Sequence, residues 1–143
     1  MILVDANLLL YAYDASSEHH DAARSWWERQ LSEPGLVRLA WITVTAFLRI
    51  GTHPRVFREP MSIAEACDHV ASWFERPMVG LLDPGERHWS ILSALLRESR
   101  AVGNLVSDAH LAALAIEHGA TLCSTDRDFR RFDGLSWENP IRT

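Results

Sequence analysis

Lysine is absent from this chain of 143 residues: all fourteen cationic side chains are arginines. Arginine suits phosphate because its planar guanidinium binds two oxygens at once, but a GC-rich genome also favours arginine over lysine. The 19 acidic residues leave a formal net charge of −5, so the overall charge gives no reason to expect nucleic-acid binding. Composition alone therefore leaves the partner open.

Cysteines and long apolar runs are also scarce. Cys67 and Cys123 are the only cysteines, too few for a disulfide framework or a zinc knuckle. No apolar run approaches the roughly 18 residues of a membrane-spanning helix, and the N-terminus lacks the basic segment of a signal peptide. We therefore expect a cytoplasmic protein without a membrane anchor, folded as a single domain over residues 1–143.

Short apolar runs alternate with helical patterns along the chain. Strands are predicted over residues 2–4, 36–39, 78–82, 120–123 and 135–137, and helices over residues 8–13, 18–31, 42–50, 63–74, 86–100 and 108–118. Ser16 or Ser17 is the expected N-cap of the second helix, and Ser62 with Glu65 has the spacing of a capping box for the fourth. This alternation predicts an α/β fold in which a central parallel sheet lies between two layers of helices.

Acidic residues follow two of the predicted strands. Asp5 stands directly after the first strand in otherwise apolar surroundings, and Asp126 follows the fourth. Because ligands of open parallel sheets bind beyond the carboxyl ends of the strands, both side chains are expected at one functional edge. Asp108 stands at a predicted helix start, where capping of the helix explains it equally well on its own.

Carboxylates that meet at one edge repel each other by about 4 kcal/mol per pair at 4 Å and an effective dielectric of about 20. A divalent cation relieves this repulsion without protonating the acids. An all-oxygen set of ligands favours Mg²⁺ or Mn²⁺ over Zn²⁺, and such an ion suits phosphate chemistry. We therefore predict that Asp5 is a metal ligand, with neutral oxygens from Asn7, Ser107 and Thr125 in support.

The arginines nearest these acids have two explanations. Arg127, Arg130 and Arg131 are placed to meet a nucleic-acid backbone. Alternatively, they form ion pairs with Asp128 and Asp133 or lie on a solvated surface.

Five segments together resemble the PIN-domain family of metal-dependent ribonucleases, and within it most of all the VapC-type toxins of toxin–antitoxin systems. The resemblance implies a sheet of order 3-2-1-4-5, Mg²⁺- or Mn²⁺-dependent cleavage of RNA, a homodimer, and a cognate antitoxin that inserts a peptide into the site. The segments are Val4-Asp5-Ala6-Asn7, Leu9-Leu10-Tyr11-Ala12, Thr52-His53-Pro54-Arg55-Val56-Phe57, Ser107-Asp108-Ala109-His110-Leu111-Ala112-Ala113 and Ser124-Thr125-Asp126-Arg127-Asp128-Phe129.

The resemblance also implies roles for particular residues. Asp5, Asp108 and Asp126 match the family's catalytic, metal-binding acids, and Asp128 matches a frequent additional ligand. Thr125 matches the hydroxyl beside the third acid. The predicted RNA contacts are Arg49, Arg127 and Arg130.

One position departs from the family pattern. Ala46 or Phe47 stands where a Glu is usual. The site therefore binds one ion firmly, or it recruits another carboxylate such as Asp14.

Two other functions remain open. The missing Glu favours a catalytically weakened PIN-like module that binds RNA or protein, although such a module has no reason to keep four mutually repelling carboxylates. An aspartyl-phosphate phosphotransferase would need a second Asp where Asn7 stands and a Lys, which the chain lacks. We therefore expect a metal-dependent endoribonuclease acting as the toxin of a type II toxin–antitoxin pair.

Histidine and tryptophan give weaker signals. His110 is expected at the surface or in the core rather than in catalysis. Trp26, Trp27 and Trp73 either line a groove for a partner helix or pack in the core.

Overall fold

A five-stranded parallel sheet forms the centre of the protein. The computed structural model describes residues 1–142, and its strands are β1 (Ile2–Val4), β2 (Val37–Leu39), β3 (Val79–Leu81), β4 (Thr121–Cys123) and β5 (Trp137–Glu138). They lie in the order β3-β2-β1-β4-β5, and all four pairings are parallel. The predicted order 3-2-1-4-5 is confirmed, and β1, which Asp5 follows directly, is the central strand.

Helices cover both faces of this sheet. One hydrophobic core contains residues of the first four helices, and a second contains residues of the last two. The three-layer α/β/α architecture is therefore confirmed. The helices are α1 (Ala6–Tyr13), α2 (His20–Ser32), α3 (Trp41–Gly51), α4 (Ile63–Phe74), α5 (His88–Ser99) and α6 (Asn104–His118), with a 3₁₀ helix at Arg127–Arg131.

The strand residues divide between these two cores. Leu3 of β1 and Leu122 of β4 pack in the core under α5 and α6, whereas Val4 and Cys123 pack in the other. Successive side chains of an extended strand point to opposite faces, and all four of these residues are buried. Burial on both faces explains why the strands read as continuous apolar runs.

The start of α2 differs from the prediction. Neither Ser16 nor Ser17 is its N-cap, because the helix begins at His20 after His19, which makes no side-chain capping bond. The Asp14 carboxylate instead accepts from the backbone N–H of Ser16 (3.1 Å) and from its hydroxyl (2.7 Å). The Ser17 hydroxyl accepts from the backbone N–H of His19 at 3.1 Å. These local bonds hold a turn where the helix was expected to begin.

The start of α6 also differs, and here the site is affected. The helix begins at Asn104, after Gly103 with φ of 59°, a conformation that glycine adopts without strain. Asp108 therefore lies a full turn inside the helix. The prediction that it stands at a helix N-terminus is wrong, and so is the capping explanation for it.

The other boundaries lie within two residues of the prediction. Trp26, Trp27 and Trp73 are buried, so core packing is the correct alternative for them. No helix in residues 1–142 combines the length and the apolar character needed to span a bilayer.

The capping box of α4 is confirmed and gives a first testable prediction. The Ser62 hydroxyl accepts from the backbone N–H of Glu65 at 3.1 Å, and the Glu65 carboxylate accepts from the backbone N–H of Ser62. Ser62→Ala removes one of these bonds, so we expect it to lower the free energy of unfolding by about 1 kcal/mol. Urea unfolding measures this. Ser25→Ala, at an exposed position inside α2, is the control, and an equal loss there would contradict the capping role.

Candidate active site

The carboxyl edge of the sheet brings two of the predicted acids together. Val4 of β1 is paired with Cys123 of β4, and the backbone N–H of Asp5 donates to the carbonyl oxygen of Cys123 at 3.0 Å. Asp5 and Ser124 therefore leave the sheet side by side, with Asp126 two residues further on. The prediction that Asp5 and Asp126 emerge at the same edge is confirmed.

A buried hydroxyl connects the residues at this edge. Ser124, fully buried, donates to Oδ2 of Asp5 at 2.7 Å and accepts from Nδ2 of Asn7 (3.1 Å) and from the backbone N–H of Asp126 (3.0 Å). One donated and two accepted bonds use the full capacity of a hydroxyl. The other oxygen of Asp5 accepts from the backbone N–H of Ala6 at 2.8 Å and so caps α1. The Asp5 carboxylate is thereby fixed in place.

The sequence did not identify Ser124 as a site residue and predicted Thr125 as a supporting hydroxyl instead. In the structure Thr125 contributes its backbone N–H, which lies 3.5 Å from Oδ1 of Asn7. Ser124 follows β4 directly, as Asp5 follows β1, and that equivalence in the sheet is the signal that identifies it.

Three carboxylates form the tightest acidic group at this edge. Asp108 of α6, Asp126 and Asp128 each offer an oxygen within 4.8 Å of the oxygens offered by the other two. Oδ1 of Asp126 accepts from the backbone N–H of Asp128 at 2.9 Å and caps the 3₁₀ helix. Asp5 lies beside this group rather than in it. The predicted acids thus meet, with Asp128 in a more central place than the sequence indicated.

Two of the acids at this edge, Asp108 and Asp5, have raised pKa values. Burial, together with the negative charges of Asp126, Asp5 and Asp128, raises the pKa of Asp108 from 3.8 to about 6. Burial also raises the pKa of Asp5, with a smaller contribution from Asp126, while the hydrogen bond from Ser124 opposes the shift. In the absence of a cation the site therefore favours a proton on at least one carboxyl group.

Helix α3 forms the wall opposite α6. Ala46 and Arg49 line a cavity together with Asp5 and Asp108, whereas Phe47 is fully buried in the core. Ala46 is therefore the residue that faces the acids at the position of the missing Glu.

The predicted arginine contacts divide into two groups. Arg49 reaches the cavity of the acids. The guanidinium of Arg130 lies over the ring of Trp137, 5.3 Å from its centroid, and Arg127 is exposed at the start of the 3₁₀ helix. Within residues 1–142, no arginine forms an ion pair with any of the four acids. Asp133 has no such partner among these residues either, so the ion-pair explanation of Arg127, Arg130 and Arg131 is wrong for both Asp128 and Asp133.

Two other candidates lie elsewhere. Asp14 caps the C-terminal end of α1, opposite to the end at Asp5, and it does not replace the missing Glu. Nδ1 of His110 is 3.0 Å from Nε2 of His88 on α5, so His110 connects two helices.

Ser107 lies on the exposed wall of the acid-lined cavity.

Comparison with known proteins agrees with this geometry. The family model of the PIN domain matches residues 2–135. The chain belongs to the PIN-domain family.

Curated relatives of this PIN domain match it over nearly their whole length. Ribonuclease VapC37 of Mycobacterium tuberculosis is 43% identical over 140 residues, which is 98% of this chain and 97% of the relative. Ribonuclease VapC33 of the same species is 38% identical over 142 residues, or 99% of each chain. At these identities the PIN domain belongs to the VapC group of the family.

Solved structures share the fold of this PIN domain at lower identity. The VapBC2 complex of Rickettsia felis, bound to a DNA fragment from its promoter, has a TM-score of 0.71 at 19% identity and covers 97% of this chain and 98% of its own. VapC20 of M. tuberculosis, described as a sarcin–ricin loop cleaving toxin, has a TM-score of 0.65 at 18% identity, with coverage of 95% and 99%.

Removal of the Ser124 hydroxyl gives a second testable prediction. Ser124→Ala leaves donors of Asn7 and Asp126 without an acceptor in a buried place, so we expect the free energy of unfolding to fall by about 1–3 kcal/mol. Thr125→Val is the matched control, because the Thr125 hydroxyl makes no hydrogen bond to the described residues, and it should change stability by less than about 0.5 kcal/mol. Thermal and urea unfolding of both variants measure the difference. An equal effect of the two substitutions would contradict the bridging role of Ser124.

Proposed function

We propose that this PIN-domain protein is a Mg²⁺- or Mn²⁺-dependent endoribonuclease that acts as the toxin of a type II toxin–antitoxin pair. The observation that carries the proposal is the group formed by Asp108, Asp126 and Asp128, whose oxygens lie within 4.8 Å of one another. Among residues 1–142 no arginine forms an ion pair with them. The relatives at 38–43% identity are named ribonucleases, which supports the same activity here.

The donor set fits a hard divalent cation. Carboxylate oxygens are the ligands that Mg²⁺ and Mn²⁺ prefer. The pKa of Asp108 is raised first by burial and then by the charges of Asp126, Asp5 and Asp128, and a cation would remove this repulsion between the charges. Asp108, Asp126 and Asp128 would hold the ion, with Asp5 beside them. A bound ion would polarise the phosphodiester and lower the pKa of its water.

The chain's own residues supply orientation and proton transfer. Asp5 is mostly buried, has a raised pKa and is fixed by Ser124 and Ala6. It is the carboxylate best placed to accept a proton from the attacking water, because a raised pKa makes it a stronger base than an ordinary carboxylate. Arg49 on the opposite wall binds the phosphate of the RNA, and Arg127 and Arg130 contact its backbone further from the acids.

The partners follow from the toxin assignment. The solved neighbours include VapBC complexes from R. felis and from nontypeable Haemophilus influenzae. We propose a cognate antitoxin for this chain, an RNA substrate in the cytoplasm and assembly of the toxin as a homodimer.

A binding module without catalysis is the second candidate. Ala46, in place of the usual Glu, is the observation in its favour. Four acids that repel each other at one edge argue against it, because a binding surface gains nothing from such a group of carboxylates.

Cleavage of a structured RNA pool by the purified protein tests the proposal. The reaction is run with Mg²⁺, with Mn²⁺ and with EDTA, and the products are sequenced. We expect internal cuts that require a metal. If no RNA is cut although Mg²⁺ or Mn²⁺ binds in calorimetry with a defined stoichiometry, the ribonuclease assignment fails and the binding module is favoured.

A further inference from the structure

A cavity of about 420 Å³ opens beside the acids, between α3 and α6. Asp5 and Asp108 are part of its wall. The volume lies in the range of specific small-ligand sites. Besides Arg49, the wall includes residues that the proposed chemistry does not use, among them Ile42, Thr43 and Ala46 of α3 and Asn104 and Leu111 of α6.

Thr43 is the unusual member of this wall. Its side chain is 2% exposed, and its Oγ1 has no hydrogen-bond partner among residues 1–142. Two other threonines of the same region are satisfied locally: Thr45 donates to the carbonyl of Trp41 at 2.9 Å and Thr52 to that of Leu48 at 2.7 Å. Because buried polar groups in native proteins are almost always paired, the Thr43 hydroxyl indicates a ligand group that enters this cavity.

The chemistry of the wall selects the kind of group. Ile42, Ala46 and Leu111 offer apolar surface to a flat ring, whereas Thr43 and Asn104 offer neutral donors and acceptors to its edge. Arg49 of the same wall is assigned to the scissile phosphate, and the negative charges of Asp5 and Asp108 disfavour a second phosphate in the rest of the cavity. Unpaired bases of RNA are held by contacts to their faces and hydrogen bonds to their edges, which is the combination this wall provides.

We propose that this cavity binds one unpaired nucleobase of the RNA next to the bond that is cut, and that Thr43 and Asn104 recognise its edge. The inference rests on the proposed ribonuclease function and extends it to substrate selection. Sequence preference at one position near the cut then comes from the wall between α3 and α6.

Thr43→Val tests this inference, because valine keeps the shape and removes the hydroxyl. The probe is a set of RNA hairpins with randomised loops, and sequencing of the cut ends gives the base preference at each position around the cut. We expect wild-type protein to prefer one base at one position, and Thr43→Val to reduce that preference about fivefold, the value of one hydrogen bond. The variant should be as stable as wild type or more stable, since an unpaired buried hydroxyl is lost.

Two further variants make the result specific. Asn104→Ala changes an exposed residue of the same wall, so it reports on the cavity without a risk to the fold, and it should weaken the same preference. Thr52→Val makes the same chemical change as Thr43→Val on a hydroxyl bonded to Leu48 and outside the cavity wall. Thr52→Val should lower stability and leave the base preference unchanged. If the role of Thr43 were purely structural, Thr43→Val would also leave the base preference unchanged.

The outcomes separate this inference from the proposed function. If wild-type protein cuts no RNA, the ribonuclease proposal itself fails. If it cuts without base preference, or if Thr43→Val and Asn104→Ala both keep the wild-type preference, the nucleobase site is overturned while the ribonuclease stands. A preference lost in both variants and kept in Thr52→Val supports the inference.

Discussion

Asp108→Asn is expected to slow metal-dependent RNA cleavage by about a thousandfold or more. The carboxylate belongs to the group of three that would hold the ion, and the charge stabilisation lost with one ligand amounts to several kcal/mol in the transition state. About 4 kcal/mol corresponds to a thousandfold change in rate. Initial cleavage rates at saturating Mg²⁺, measured for wild type and variant on the same RNA, give the ratio.

Asp108 is a better position for this test than Asp5. The pKa of Asp108 is shifted by burial and by charges alone, with no hydrogen bond contributing, so an amide there breaks none. Asp5 accepts from Ala6 and from Ser124, and the Ser124 hydroxyl already accepts two other donors. An amide nitrogen at position 5 would face a hydroxyl oxygen whose lone pairs are occupied. Loss of activity in Asp5→Asn would therefore not distinguish a loss of catalytic chemistry from a disturbance of the structure.

Asp133→Asn is the matched control for Asp108→Asn. Asp133 is an exposed acid shortly after the 3₁₀ helix and is not a member of the acidic group, so the same change of charge there should leave the rate within about twofold of wild type. A cleavage rate of Asp108→Asn close to that of wild type would remove Asp108 from the catalytic site.

The fold could be predicted because burial on both faces leaves a clear trace in the sequence. Residues 2–4 and 120–123 are apolar without alternation, and helical patterns separate the strands. Together these features require parallel strands joined by helical crossovers. The order of the strands came from the family resemblance rather than from periodicity, since no local pattern states which strands are neighbours.

The site was only partly accessible from sequence. The rule that ligands bind at the carboxyl ends of parallel strands correctly brought Asp5 and Asp126 together. The start of α6 was misjudged, because Gly103 in a left-handed conformation admits a helix that begins a turn before Asp108. Ser124 was missed because its importance lies in three hydrogen bonds, with Asn7, Asp5 and Asp126. A single serine after a strand does not predict these bonds.

The arginines illustrate a further limit of sequence reasoning. Arg127, Arg130 and Arg49 carry the same charge, yet Arg130 covers the ring of Trp137 and only Arg49 lines the cavity of the acids. Proximity to an acid in the chain says little about the direction of a long side chain. Helix α3 turns Arg49 toward Asp5 from a position 44 residues away in sequence.

Mg²⁺ is expected to raise the unfolding temperature strongly at pH 8 and only weakly at pH 5. At pH 8 Asp108, with a pKa of about 6, is ionised. An ion at a hundred times its dissociation constant adds about 2.7 kcal/mol to the free energy of unfolding, which is several degrees in Tm. At pH 5 Asp108, with a pKa of about 6 in the folded protein, is mostly protonated, so the ion must displace a proton to bind. Differential scanning fluorimetry with and without Mg²⁺ at the two pH values measures the contrast.

Without a metal ion, the stability of the protein should change with pH in the opposite direction, and the cause is again the protonation of Asp108. The folded state holds the Asp108 proton up to a pKa of about 6, whereas the unfolded state releases it near 3.8. Folding therefore takes up a proton between these pH values, and the contribution of Asp108 to stability is largest below pH 3.8 and is lost as the pH rises through 6. Because Asp108 is half-exposed, solvent screening reduces this loss to about 1 kcal/mol. In EDTA, Asp108→Asn should gain that amount over wild type at pH 8 but not at pH 3.8, and it should lose most of the Mg²⁺ response. Equal Mg²⁺ responses at pH 5 and pH 8, or in wild type and Asp108→Asn, would show that Asp108 does not bind the ion.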